Sequence, residues 1–372
     1  MHIGLPKEIK KQEHRVAMTP AVVASLVHSG HQVNVERGAG LGAGYSDEEY
    51  SFAGASMLDR PDLLFAASEL IVKVKEPQPD EVAMLNDSHT LLTYLHLAAD
   101  KQLTQSLTAS GCTGLAYETL AVGERLPLLE PMSEIAGSMA PIAGAYHLAK
   151  HTGGRGTLLS SVPGVGPSKA VVLGGGTAGM HAARVAAGMG ADVTILELDF
   201  ERMRMLEMNF PQIHTMYSSE ANLRELLRSV DLLVGAVLLP GAAAPKLVTR
   251  EMLGLMPEGS VIVDIAVDQG GCVESTRATT HAAPTFTESG VLHYCVANMP
   301  AAYARTATIA LSNVTAAWIG RIAGLGLESA LSQFAELASA VNCTQGMLTN
   351  EAVAQSHDLP WTPREALGSS GD

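Results

Sequence analysis

Cysteine is scarce, with four residues (Cys112, Cys272, Cys295, Cys343) spread along a chain of 372 and no CxxC pair. That excludes a disulfide framework and suits a reducing cytoplasm. Positive charge is also in deficit: 24 Lys and Arg stand against 38 Asp and Glu, a formal charge of −14. With no basic run, nucleic acid and anionic membrane surfaces are poor partners. Long apolar runs are missing too. The longest stretch without formal charge, Val16 to Val35, is interrupted by Pro20, Gly30, Gln32 and Asn34, so no membrane span is expected. Lys7, Glu8, Lys10 and Lys11 occupy the place where the apolar core of a signal peptide would sit, which makes the expected location cytoplasmic. There is no sequence repeat and no low-complexity tract. What is abundant is apolar material, 47 % of residues against 17 % charged, enough for sizeable cores. The length points to two domains.

The pattern along the chain is βα. Ile3–Leu5, Gln32–Glu36, Leu70–Val74, Thr90–Leu95 and Gly114–Glu118 read as strands with helical or polar segments between them. Thr19 and Pro20 open a helix as N-cap and first residue, and Ser46-Asp-Glu-Glu49 spells a capping box. Near Pro131 the texture changes to a long Ala-, Gly- and Met-rich helix, Ser133 to Lys150, which Pro141 should kink. A second βα series follows, with strands expected at Ala170–Leu173, Val193–Leu196, Ile213–Tyr217, Leu232–Val237, Val261–Ile265 and His293–Val296. Another long helix, Thr306–Ala323 with Gly324 as its stop, comes after it. The two long helices bracket the second series, so the expected topology is one domain inserted between two parts of another, with the helices as hinge. The tail from Pro360 reads as loose.

Gly174-Gly-Gly-Thr177-Ala178-Gly179 fits GxGxxG at Gly174, Gly176 and Gly179. An apolar strand precedes it, a helix follows, and Glu197 closes the next strand near the roughly 20-residue spacing expected of an acid that binds ribose hydroxyls. Glycines permit the tight turn and close backbone approach, and the amides of the helix start face a pyrophosphate. Glu197 would repel a 2′-phosphate, so the expected cofactor is NAD; Arg202 and Arg204 nearby leave NADP as the alternative.

A nicotinamide cofactor calls for groups that hold an anionic substrate and move a proton. Arg15, in a loop before a capped helix, has the planar fork that suits a carboxylate, with a surface arginine as the alternative. Lys73 and Lys75 share one strand face; Lys75, next to Glu76-Pro77, is the functional candidate and Lys73 the solvated edge. His96 ends the apolar run Leu91–Leu95 and can exchange a proton near neutral pH. Asp268 lies at the far end of Val261-Ile-Val-Asp-Ile-Ala-Val-Asp268, whereas Asp264 within it is expected to be an internal acceptor. His147 and His151 lack the HExxH glutamate and read as helix surface or helix–helix packing, Cys272 reads as a buried small residue, and no metal is expected.

Several segments together resemble alanine dehydrogenases: Lys7-Glu-Ile9 with Glu13-His-Arg-Val-Ala-Met-Thr-Pro20, Val72-Lys-Val-Lys-Glu-Pro77, Tyr94-Leu-His-Leu-Ala98 and Pro131-Met-Ser-Glu-Ile-Ala-Gly137. The likeness continues through the glycine turn, Gly235-Ala-Val-Leu-Leu-Pro-Gly241, Val263 to Glu274 and His293-Tyr-Cys-Val-Ala-Asn-Met-Pro300. It implies two Rossmann-like, doubly wound α/β domains, with a cofactor domain (131–304) inserted into a discontinuous substrate domain (1–130 and 305–372), and a homohexamer. The implied reaction is reversible oxidative deamination of L-alanine to pyruvate and ammonia with NAD. By the same resemblance Arg15 and Lys75 would bind substrate, His96 would be the acid/base, and Asp268 would support attack by water or ammonia. Ser133, Gly174, Gly176, Thr177, Ala178, Gly179, Glu197, Arg202, Ser219, Val237, Leu238, Val267 and Asn298 would contact NAD. The family commonly carries proline before the basic residue that follows Asn-Met-Pro, whereas here Tyr303 and Ala304 precede Arg305, a departure that bears on substrate range. The alternatives are a dehydrogenase of another amino or imino acid, and a transhydrogenase-like nucleotide-binding module.

Overall fold

The computed structural model describes residues 1–237 and 244–363. It separates into two compact units: Met1–Met132 with Ala301–Asp372 (unit 1), and Ser133–Pro300 (unit 2). In chain order unit 2 is inserted between the two segments of unit 1.

The strands in chain order are β1 (His2–Leu5), β2 (Gln32–Glu36), β3 (Ser56–Leu58), β4 (Leu70–Val72), β5 (Thr90–Thr93) and β6 (Thr113–Ala116). Then come β7 (Lys169–Leu173), β8 (Asp192–Glu197), β9 (Ile213–Tyr217), β10 (Leu232–Gly235), β11 (Val261–Asp264), β12 (Thr285–Glu288) and β13 (Val291–Tyr294). The chain returns to unit 1 for β14 (Val341–Thr344) and β15 (Met347–Leu348). Unit 1 has the order β15-β14-β6-β5-β4-β1-β2-β3 and unit 2 the order β12-β13-β11-β10-β7-β8-β9. In each unit six strands run parallel and are ordered as in doubly wound dinucleotide-binding folds, with antiparallel additions at one edge (β14 and β15; β12).

Local sequence accounts for these elements. The Thr19 hydroxyl accepts from Val22 N at 3.4 Å and starts helix Pro20–His28, and Ser46 and Glu49 exchange the two bonds of a capping box. Along β7, Ala170 and Val172 join one apolar cluster and Val171 and Leu173 the other, so both faces of the unit 2 sheet are buried. That is why its central strands β7, β10 and β11 are continuous apolar runs instead of alternating ones.

The structure corrects several expectations. The first long helix is Glu130–His147 and runs through Pro141; a separate 3-10 turn, Lys150–Thr152, follows it. The second is Ala304–Leu325 and passes Gly324; Gly326, at φ +77°, is the residue that ends it. Tyr303 closes the 3-10 turn Met299–Tyr303, and Ala304 is the first residue of that helix. Strands β3, β12, β14 and β15 are not marked in the sequence: β3, β12 and β15 are sheet edges, where no long apolar run is required, and β14 joins β15 to β6. No helix among the described residues is long and apolar enough to cross a membrane.

Candidate functional site

In a doubly wound sheet, ligands sit beyond the carboxyl ends of the strands, where the strand order reverses. In unit 1 that reversal lies between β1 and β4. The chain leaving β4 carries Lys73 and Lys75, and the chain leaving β5 carries His96. Lys73 is not at a solvated edge: it is 1 % exposed, and its Nζ lies 3.1 Å from Glu8 and 2.6 Å from Glu81. Burial alone would discharge it, but the two carboxylates outweigh burial and hold the ammonium charged. Glu8, raised by burial and only partly offset by Lys73, also accepts from Val74 N at 2.6 Å and so fixes the strand exit that presents Lys75. Lys75 is itself buried.

Arg15 is also buried. Its Nε and Nη2 meet the two carboxylate oxygens of Glu13 at 2.7 and 2.6 Å, a bidentate pair. Burial lowers the affinity of Arg15 for its proton, and Glu13 more than restores it. Tyr94 lies in the same region and donates to Leu128 O at 2.5 Å; burial pushes its hydroxyl above the usual range.

His96 occupies a left-handed conformation (φ +48°), an uncommon one for a residue with a Cβ. The Glu118 carboxylate stabilises that turn by accepting from His96 N at 2.6 Å and Leu95 N at 3.0 Å. His96 Nδ1 stands 3.3 Å from Glu76 Oε2. Burial would raise the Glu76 carboxyl, but His96, Lys75 and Lys10 outweigh it and keep Glu76 well below the usual carboxylate range.

In unit 2 the glycine turn follows β7. Gly174 has φ +88°, and a Cβ on Gly179 would stand 1.8 Å from Gly174 O, so neither position tolerates a side chain. A Cβ on Gly176 would meet nothing within 4 Å, and no side chain caps helix Thr177–Gly188. Among the described residues the start of that helix, at Thr177 and Ala178, is therefore an open cradle whose first-turn amides have no side-chain cap, as a phosphate requires. Glu197, at the end of β8, accepts from Gly175 N (2.8 Å) and Leu198 N (2.7 Å) and lies 3.4 Å from Arg202. Burial would raise it, yet the amides of Asp199, Gly175 and Leu198, together with Arg202, keep it ionised.

Asp268 is not on a strand. β11 ends at Asp264, and Asp268 sits in the 3-10 turn Ile265–Gln269, with Asn298 N 3.4 Å away. Asp264 is the internal acceptor, taking bonds from Ala266 N, Cys272 N, Val273 N and the Thr276 hydroxyl. Val237, Val267 and Asn298 follow β10, β11 and β13 at the same sheet edge as the glycine turn. Ser219 caps helix Glu220–Leu227, Ser133 lies on helix Glu130–His147, and Leu238 falls outside the described residues. His147 packs on Tyr294 of β13, ring centroids 5.6 Å apart. The Cys272 thiol is buried and pushed up to about 12, inert as a nucleophile.

Sequence reading missed the carboxylates that hold these groups: Glu8, Glu13, Glu76, Glu81 and Glu118. Glu13 and Glu76 stand within two residues of Arg15 and Lys75, and that was the available signal. Glu118 pairs across 22 residues and left none.

Residues 4–136 match the model of the alanine dehydrogenase/PNT N-terminal domain, and residues 140–351 that of the C-terminal domain. The chain belongs to the alanine dehydrogenase/PNT family. An alanine dehydrogenase of Mycolicibacterium smegmatis is 49 % identical over 364 residues, 97 % of this chain and 98 % of that protein. One of Bacillus subtilis is 49 % identical over 98 % of this chain and 97 % of its own length. A solved L-alanine dehydrogenase superposes with a TM-score of 0.92 at 46 % identity, covering 96 % of this chain and 99 % of that one. A transhydrogenase from Sinorhizobium meliloti, 24 % identical, shares the fold with a TM-score of 0.80. Membership of the alanine dehydrogenase/PNT family, with its nucleotide-binding domain, implies a pyridine nucleotide.

Proposed function

We propose that this chain is an NAD-dependent alanine dehydrogenase: L-alanine, NAD and water give pyruvate, ammonium, NADH and a proton. The observation that carries the reading is the gathering of Arg15, Lys75 and His96 at one sheet edge of unit 1, with Glu13 on Arg15, Glu76 beside His96, and Glu8 holding the strand exit just before Lys75. A module that only bound nucleotide would have no need of such a set in its other unit, which counts against the transhydrogenase-like alternative.

Unit 2 is the proposed cofactor unit and unit 1 the substrate unit. The open cradle at Gly176 and the ionised Glu197 fit a pyridine nucleotide, and the negative charge of Glu197 supports NAD over NADP. When bound, the nicotinamide supplies the acceptor for the hydride leaving the alanine Cα. Arg15 pairs with the substrate carboxylate, and Lys75 polarises the oxygen or nitrogen on Cα. His96 takes the proton of the water that adds to the imine carbon and returns it to the departing ammonia. Asp268 holds that water or ammonia. Ser133, Thr177, Ala178, Gly179, Arg202, Ser219, Val237, Leu238, Val267 and Asn298 are the proposed remaining cofactor contacts.

The four free cysteines are all buried, which supports a reducing, cytoplasmic location. Exposed Ile142 and Tyr146 on one long helix and Ile309 and Leu325 on the other support self-association through these helices, as a hexamer.

A panel of amino acids compared by kcat/KM tests the substrate, with L-alanine expected to lead. His96→Ala and Asp268→Asn are expected to lower kcat by about 10²-fold or more while NADH still binds. Normal turnover in both variants contradicts the assignment, and a better substrate than alanine moves the reading to another amino acid.

A further inference from the structure

Two polar atoms in unit 1 are buried without a hydrogen bond among the described residues and face each other: Glu76 Oε2 and His96 Nδ1, 3.3 Å apart. The other Glu76 oxygen, Oε1, pairs with Lys10. The Glu76 side chain is 14 % exposed and that of His96 35 %, so the imidazole reaches solvent while its Nδ1 side is closed off. A carboxylate beside Nδ1 is the arrangement that fixes which imidazole nitrogen carries the proton in the neutral ring. The His96 backbone is already locked by Glu118, so ring rotation is the main freedom left.

We propose that Glu76 is a positioning residue: it accepts the Nδ1 hydrogen of His96, holds the ring in that tautomer, and leaves Nε2 for the reacting oxygen of the substrate. The inference rests on the alanine dehydrogenase reading and adds to it a residue that acts through His96. The two atoms need only a slight ring rotation to align. Both are otherwise unsatisfied among the described residues, and closing the contact satisfies the two at once. Other charged or titratable groups around the pair are Lys75 and Lys10 on the Glu76 side, and Tyr94 and Glu118 on the His96 side. His357 lies further along, bonded to Leu97 O at 2.7 Å. Lys10 and Lys75 keep Glu76 ionised, so it accepts and does not donate.

The test compares wild type, Glu76→Gln and Glu76→Asp for alanine oxidation across pH. A base must be unprotonated to act, and an adjacent anion favours the imidazolium. Loss of that anion in Glu76→Gln is therefore expected to move the acidic limb of kcat/KM down by about one pH unit. It should also lower kcat by about 10-fold or more, with KM for alanine little changed. Glu76→Asp keeps the charge and should keep the limb near its wild-type position. A purely structural role would lower activity at every pH without moving the limb, and that result overturns the proposal. A measurement on the unsubstituted protein does not depend on whether the Glu76 variants fold: nitrogen NMR of the His96 ring, identified by its absence in His96→Asn. Neutral His96 protonated on Nδ1 supports the proposal, and protonation on Nε2 overturns it. If the protein showed no alanine-dependent turnover, the functional reading would fall, while the ring tautomer would still report on the Glu76–His96 pair.

Discussion

At the scale of single residues, two of the polar groups proposed for the substrate side stand against an acid: Arg15 against Glu13 and His96 against Glu76. Arg15 and Glu13 are 2 % and 0 % exposed, so neither has water to fall back on. Replacing Glu13 with Gln leaves a buried guanidinium without its counter-charge, expected to cost about 3–5 kcal/mol of stability. It should also raise KM for alanine, because the arginine fork loses its fixed orientation. Denaturant unfolding and steady-state kinetics measure the two effects, and a variant unchanged in both contradicts the role given to Glu13. Arg15, Lys75 and His96 were legible as candidates because each is a polar group where an apolar run begins or ends. Their burial was not legible, since a sequence shows that Lys73 and Lys75 share a face without showing that Glu8 and Glu81 close over one of them. The 3-10 turn that carries Asp268 beyond the strand end was not legible: the Asp264 side chain turns the chain there by accepting from Ala266 N.

Element by element, the strongest signals were chemical punctuation. The Thr19-Pro20 start, the Ser46 box and β2 stand where the sequence places them. Endings were harder to read. A glycine stops a helix where the chain takes a left-handed turn, and Gly326 does so where Gly324 does not. Edge strands such as β12 and β15 carry too little apolar pattern to announce themselves. The glycine turn after β7 was legible in full, and it supplies the prediction for this scale. Gly179→Ala puts a methyl group 1.8 Å from Gly174 O and must force the turn away from the helix. The expected result is about 1–3 kcal/mol of lost stability, with weakened NADH binding seen by fluorescence titration. Unchanged NADH affinity would show that the turn does not touch the cofactor.

For the whole molecule, the two units repeat one strand order although only unit 2 carries the glycine turn. The shared βα habit made that architecture legible, and the two long helices marked where one series gives way to the next. Stability against acid is a property of the whole fold. His293 is fully buried and neutral, with Nδ1 donating to Val291 O at 3.0 Å and Nε2 2.8 Å from the Ser275 hydroxyl. Burial holds its proton affinity below the ordinary value of 6.5. The unfolded chain therefore binds the extra proton first. The stabilisation is fully present above about pH 6.5 and is lost as pH falls through the lowered folded value. In His293→Gln the fall in Tm from pH 7 to pH 5 is expected to be shallower than in the wild type. Equal slopes would mean that His293 does not couple folding to protons.

The most direct measurement is NADH formation by the purified protein with L-alanine, run in parallel with NADP. The account predicts an alanine-dependent rise in NADH, reversed by pyruvate plus ammonium, with NADP the poorer cofactor. A protein that binds NADH but forms none from alanine, in either direction, would contradict it.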